Sequence, residues 1–219
     1  MKYVAIEGSS YVGKTTVANQ FAQEGIPVIP EYDVFGPFLP CNETYESKKA
    51  AALDVIHRER QRTAMLGNLG NKAIVISDRS IFSLITYEDM MMHAAPTNLE
   101  REARRGVQGF IIETLEEEIQ RGNIMPPDAT VTLRIDSQEE FDSRVRRRGV
   151  TQVECLACFS VQQLVAQRTF RYSSLTLGHE SSATLDVAAD PEVVVFERVH
   201  HAVEMLQKSI QRKSLMGIA

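Results

Sequence analysis

Short runs of consecutive apolar residues alternate along the chain with longer stretches in which apolar positions recur every three or four residues. This is the pattern of a parallel sheet covered by helices on both faces. Five runs read as strands: Tyr3 to Ile6, Pro27 to Ile29, Ala73 to Ser77, Ala129 to Arg134 and Thr184 to Val187. Between them the periodicity predicts helices over Lys14 to Glu24, Tyr45 to about Leu69, Ile81 to Met92, about Leu99 to Arg121, Gln138 to Arg148, Val161 to Leu175 and Pro191 to Gln211. Punctuation supports several of these limits. Gly25 stands where a C-terminal cap is expected, Pro126-Pro127-Asp128 stops the fourth long helix, and Asp190-Pro191 supplies an N-cap followed by a first-turn proline. There is no internal repeat, low-complexity tract or Gly/Ser linker, so residues 1–219 are expected to form a single domain.

Composition narrows the class. The hydrophobic fraction of 43% is ordinary for a globular chain of 219 residues, and no apolar run approaches the ~18 residues of a membrane span. The N-terminus enters a strand directly, without a basic and apolar leader, which leads us to expect a cytoplasmic protein with no membrane partner. A net charge of -5 without a long basic tract argues against an extended nucleic-acid surface and suits a small phosphorylated ligand. Cys41, Cys155 and Cys158 are too few for a disulfide scaffold and read as reduced thiols. His200, His201 and Glu204 read as a solvated or half-buried face of the last helix.

The most specific signal is Gly8-Ser9-Ser10-Tyr11-Val12-Gly13-Lys14-Thr15, followed by Thr16, which matches G-x-x-x-x-G-K-[ST] between a predicted strand and a predicted helix. Glycines let the backbone curl so that successive N–H groups face phosphate oxygens, and the helix adds its positive end. Lys14 is expected to bridge the β and γ phosphates of ATP, and the Thr15 hydroxyl to ligate Mg2+. A phosphotransferase also needs a group that orients or deprotonates its acceptor at the carboxyl end of a neighbouring strand. Glu31, just past the second strand, is placed for that task. Ser77-Asp78-Arg79-Ser80 ends the third strand, where Asp78 can hold a magnesium-bound water and Arg79 can clamp the acceptor or the transferring phosphoryl group.

Taken together these motifs resemble the deoxynucleoside kinase and thymidylate kinase superfamily. Ile6-Glu7-Gly8 through Thr16 is similar to its opening I-E-G-x-x-x-x-G-K-[ST]-T, Pro30-Glu31 to its P-E element, and Asp78-Arg79-Ser80-Ile81-Phe82-Ser83 to [ED]-R-S-x-x-S. Arg144-Val145-Arg146-Arg147-Arg148-Gly149 resembles the R-x-x-x-R-G lid signature, and Leu185-Asp186-Val187 weakly echoes the adenine-binding segment. The resemblance implies an α/β P-loop fold with a five-stranded parallel sheet in the order 2-3-1-4-5 and a lid near residues 138–158. It implies transfer of the γ-phosphoryl group of ATP to a nucleoside or nucleoside monophosphate, with Glu31 as base, Asp78 in the magnesium shell, Arg79 as clamp and Arg144 and Arg148 as lid arginines. A small-molecule acceptor is the expected partner, and the assembly is left open, a homodimer being one candidate.

The branch is mixed. Glu31 and Ser80 lean toward nucleoside kinases, whereas Asp78-Arg79 with Ser83 and Tyr87 follows the thymidylate kinase spacing, yet Ser9, Ser10, Tyr11 and Val12 lack the acidic residue many thymidylate kinases carry in this loop. The segment Tyr32 to Pro40 offers aromatic residues on which a base could stack, and Arg60 or Gln61 on the following helix is a candidate reader of its edge. Two alternatives stay open: a kinase of a non-nucleoside metabolite on the same scaffold, and an ATP-dependent regulatory switch without an acceptor.

Overall fold

β1 (Lys2–Gly8) runs through the centre of a five-stranded, all-parallel sheet of order β2-β3-β1-β4-β5, completed by β2 (Val28–Ile29), β3 (Ile74–Asp78), β4 (Ala129–Arg134) and β5 (Ser182–Asp186). This computed structural model describes residues 2–39, 44–70, 74–149, 158–187 and 192–215. Tyr3, Val4, Ala5 and Ile6 are all buried, as an interior parallel strand covered on both faces requires. Register pairs Ile6 with Asp78 and Gly8 with Leu133, so the ends of β1, β3 and β4 lie level.

The helices are α1 (Lys14–Gln23), α2 (Tyr45–Asn68), α3 (Ile81–Ala94), α4 (Asn98–Gln120), α5 (Gln138–Arg148), α6 (Phe159–Leu177) and α7 (Glu192–Leu215). α1 and α7 pack together with β1, β3, β4 and β5, and their apolar faces share one core with Val4, Ile6, Val131 and Leu133. α2, α3 and α4 close a second core around Ile56, Phe82, Val107 and Ile111. α3 packs on α4 and α6 rather than back along the strands, so it carries the end of β3 out into this helical layer.

Most boundaries agree with the sequence reading, and the differences have local causes. α1 ends in a Schellman motif, with Ile26 N donating to Phe21 O at 3.1 Å and Gly25 N to Ala22 O at 3.0 Å, and Gly25 takes φ 79° as that motif demands. β2 is shorter than expected, although the Pro27 carbonyl still accepts from Ile76 N at 2.9 Å. α3 runs two residues past Met92 and stops at Ala95, whose extended backbone is what the following Pro96 enforces. β5 starts two residues before Thr184, while Val187 N adds one more bond to Arg134 O at 2.8 Å. α6 is longer than expected by two residues at each end, and α7 runs on to Leu215. Thr44, Ser80, Thr97 and Ser137 each cap a helix by accepting a backbone N–H. Ala73, Cys41, Cys155, the Asp190-Pro191 cap and the 150–157 part of the expected lid lie outside the described residues.

Candidate active site

The loop after β1 is shaped by two glycines at positive φ. A Cβ on Gly8, at φ 131°, would stand 2.3 Å from the Leu133 carbonyl oxygen, and Gly13, at φ 93°, turns the chain into α1. α1 has no side-chain cap, which leaves its first backbone N–H groups for an anion. Tyr11 sits between these glycines at φ 70°, a conformation a non-glycine residue adopts at a cost of order 1 kcal/mol. Its ring is edge-on to Phe141, with centroids 6.0 Å apart, and lies beneath the Arg148 guanidinium at 5.9 Å. Val12 packs into the core below.

Lys14 is buried, and its ammonium folds back to donate to the Ser9 carbonyl at 2.7 Å. Burial, reinforced by the nearby Arg79 charge, lowers its pKa to about 8 against the opposing pull of Asp78, Glu31 and Glu7. The next side chain, Thr15, donates from Oγ1 to Asp78 Oδ2 at 2.6 Å, which the register of β1 on β3 makes possible. Asp78 is 2% exposed, and its Oδ1 has no hydrogen-bond partner among the described residues. A buried carboxylate oxygen left open beside a hydroxyl is a hard-oxygen donor set, chemically suited to Mg2+.

Arg79 follows at φ 72°, its N–H donating to Ile6 O at 3.0 Å, and this left-handed turn swings its side chain back over the loop. Its guanidinium donates to the Gly8 carbonyl at 3.3 Å and forms an ion pair with Glu31. Burial would raise the Glu31 pKa, but Arg79 and Lys14 outweigh it, so the carboxyl is held below its usual range and stays ionised. For Arg79, burial is likewise overcome by Glu31 and Asp78, and its pKa is raised. Ser10, Tyr11, Gly13, Lys14, Thr15, Thr16, Glu31, Arg79 and Arg148 line one cavity. The candidates at the ends of β1, β2 and β3 are thus brought together.

Arg144 is not at this cavity. Its Nε donates to Glu140 at 2.7 Å and its Nη2 to the Val187 carbonyl at 2.7 Å, so of the two expected lid arginines only Arg148 reaches the loop. The expected base readers are also placed elsewhere: Arg60 bonds Glu118 of α4 at 2.6 Å, and Gln61 is exposed beside His57.

Four residues behind the site carry roles the motifs did not show. Glu7 is fully buried and accepts from Ser80 Oγ and Ser83 Oγ, each at 2.5 Å, which ties the first turn of α3 to β1; burial raises its pKa despite those bonds. Arg62, also fully buried, pairs with Glu59 at 3.0 Å and donates to the carbonyls of Asp78 at 3.1 Å and Arg79 at 2.7 Å, and to Ser77 Oγ. It therefore holds the backbone turn that aims Arg79. Arg58 donates to the carbonyls of Tyr32, Gly36 and Pro37 at 2.7–2.8 Å, pinning the segment that follows Glu31. The Tyr32 phenol lies against Glu59 and 2.8 Å from the Ser80 carbonyl, joining that segment to α2 and the start of α3. A signal was present in the sequence: Glu59 and Arg62 fall on the same helical stripe as Ala52, Ile56 and Leu66.

Fold and site together define a P-loop α/β protein with the strand order 2-3-1-4-5. The model of the AAA domain family matches residues 3–155, and the chain belongs to that family. Among solved structures, a thymidylate kinase from Candida albicans aligns over 93% of this chain and 91% of its own, with a TM-score of 0.66 and 17% identity. A deoxyadenosine kinase from M. mycoides with dCMP and dCDP bound aligns over 92% and 98%, with a TM-score of 0.59 and 16% identity. The same enzyme with dATP bound gives a TM-score of 0.56 at 15% identity over 92% of this chain and 99% of that one. At these identities the likeness is one of fold. No curated protein matches the sequence.

Proposed function

We propose that the chain is an ATP-dependent kinase that transfers the γ-phosphoryl group to a nucleoside or nucleoside monophosphate. The observation that carries this reading is the Glu31–Arg79 pair, which lines the same cavity as Lys14 and Thr15 and faces the loop from the neighbouring strand ends. A site that only binds ATP has no use for a carboxylate held ionised opposite the phosphates, whereas one that delivers a hydroxyl to the γ-phosphorus needs it to orient or deprotonate that hydroxyl. The kinases of similar fold, which act on thymidylate and deoxyadenosine, support an acceptor of that class.

Backbone N–H groups of the loop and of the α1 N-terminus bind the β-phosphate, and Lys14 leaves the Ser9 carbonyl to bridge β and γ oxygens. Thr15 and Asp78 would hold magnesium, which when bound neutralises charge on the phosphates. Glu31 accepts the proton of the attacking hydroxyl, or orients a phosphate acceptor through Arg79. Arg79 and Arg148 approach the transferring group from two sides, where charge spread over its equatorial oxygens favours guanidinium groups.

The test is ATP consumption by the purified chain with Mg2+, screened against the common nucleosides and their monophosphates. Stimulation by an acceptor is expected, and Glu31→Gln should lower transfer by about a hundredfold or more while ATP affinity holds. A fully active Glu31→Gln protein removes Glu31 from the mechanism. ATP binding without stimulation by any acceptor of either class refutes the reading and points to a non-nucleoside metabolite or to a switch.

A further inference from the structure

We infer that the acceptor is uncharged: a nucleoside phosphorylated at a hydroxyl, and not a nucleoside monophosphate. This rests on the kinase reading above and narrows it.

A monophosphate acceptor would bring a dianion to within reach of Glu31. Such a group is bound where guanidinium or ammonium groups are left over to meet it, because a charge removed from water without a partner is strongly disfavoured. Among the described residues, the cations packed behind Glu31 are already used. Arg79 is paired with Glu31 and bonded to the Gly8 carbonyl. Arg58 is spent on three carbonyls and on Asp54, 2.8 Å away. Arg62 is enclosed by Glu59 and the carbonyls of Asp78 and Arg79. Arg60 points away to Glu118. Farther along the same helical layer, Arg104 lies between Glu88 and Glu100 at 3.4 Å from each, and the Lys48 charge acts on Glu88 as well. Lys14 and Arg148 stand on the donor side, over the loop.

What is offered to an acceptor is therefore a carboxylate held ionised by its own guanidinium, a pair with no net charge. Its carboxylate, the more exposed partner of the two, accepts a hydroxyl and repels a second anion, and the pair carries no net positive charge to offset that repulsion. The segment beyond it is in keeping: Val34, Phe38 and Leu39 are half or more exposed, and Phe38 lies 4.5 Å from the Arg58 guanidinium it covers, an apolar surface suited to a flat neutral base. In the reaction the acceptor oxygen forms a bond to the γ-phosphorus as the bond from that phosphorus to the β,γ-bridging oxygen breaks. The hydroxyl proton passes to Glu31 and ADP leaves.

The experiment sets each common nucleoside, ribo and deoxy, against its own 5′-monophosphate, with the full chain and Mg–ATP, and measures phosphorylated product by chromatography. The best nucleoside should exceed its monophosphate by about a hundredfold or more in kcat/KM. A monophosphate used as well as or better than its nucleoside overturns this inference and leaves the kinase reading intact. Transfer to neither class, with ATP bound, overturns both. A second variant keeps the electrostatic argument exposed: Glu31→Gln should lower nucleoside transfer while narrowing the preference over the monophosphate, and an unchanged ratio refutes the repulsion on which the inference stands.

Discussion

Replacing Arg62 by methionine removes the one side chain that holds both the Asp78 and Arg79 carbonyls, and it leaves the buried Glu59 carboxylate without its cation. Breaking a buried pair from one side costs about 3–5 kcal/mol, because the remaining charge is uncompensated. At about 2–4 °C per kcal/mol for a domain of this size, the melting temperature should fall by about 6–20 °C. Urea unfolding of wild type and variant measures the same loss independently. Glu59→Leu added to Arg62→Met should restore about half of it, since no charge is then stranded, although both carbonyls lose the Arg62 donor and Ser77 Oγ remains only on that of Arg79. Activity separates support from stability: with Arg79 free to leave its left-handed turn, kcat should fall in both the single and the double variant while ATP affinity changes little. A loss below about 1 kcal/mol for Arg62→Met, or no recovery in the double variant, refutes the account of Arg62 as the cation of a closed buried network.

Three further outcomes follow from the loop. Lys14 of the free protein loses its proton near pH 8, and phosphate favours the charged form, so ATP affinity should fall as pH rises through that value. Calorimetry in two buffers of different ionisation enthalpy should show proton uptake on ATP binding at about pH 9 and little at about pH 6.5, and uptake that survives Lys14→Met refutes the assignment. Tyr11→Leu keeps an apolar side chain but loses the face beneath Arg148, and in a double-mutant cycle with Arg148→Met a coupling of about 0.5–1 kcal/mol in kcat/KM is expected; additivity refutes the contact. Gly8→Ala would drive a methyl group into the Leu133 carbonyl, so nucleotide binding should be lost together with stability, and a variant that binds ATP normally contradicts the geometry.

The loop and the positions of Glu31, Asp78 and Arg79 at strand ends were legible because each depends on short-range chemistry, whereas the strand order followed from the family resemblance and from no local pattern. Helix phase was harder to read. Arg60 and Gln61 were expected near the acceptor, yet the stripe through Ala52, Ile56 and Leu66 turns Glu59 and Arg62 inward and leaves 60 and 61 outside. The charges at 59 and 62 masked that stripe, since a buried ion pair reads as a polar face until its partners are known. Arg144 and Arg148 share a face by spacing, but Glu140 lies one turn before Arg144 and captures it, together with a carbonyl some forty residues later in the chain. Only the first of those partners was visible in one dimension. Glu7 could be recognised as part of a motif, whereas its bonds to Ser80 and Ser83 exist only because β1 and β3 are neighbours.

β2 contributes only two residues to the sheet, and the segment after Glu31 is held instead by Arg58 of α2 and by the contact of its own Tyr32 with Glu59 of α2. Residues 30–39 are thus fastened to α2 by side chains that both supply, and both reach the end of β3 through Arg62, Glu31 and Tyr32. Segment and helix are then exchangeable as one unit: grafted together from another protein of this fold they would bring their own fastening, while the segment grafted alone would lose it. On the kinase reading proposed above, a change of acceptor is expected to travel as paired substitutions in the segment and in α2, with the phosphate loop left as it is.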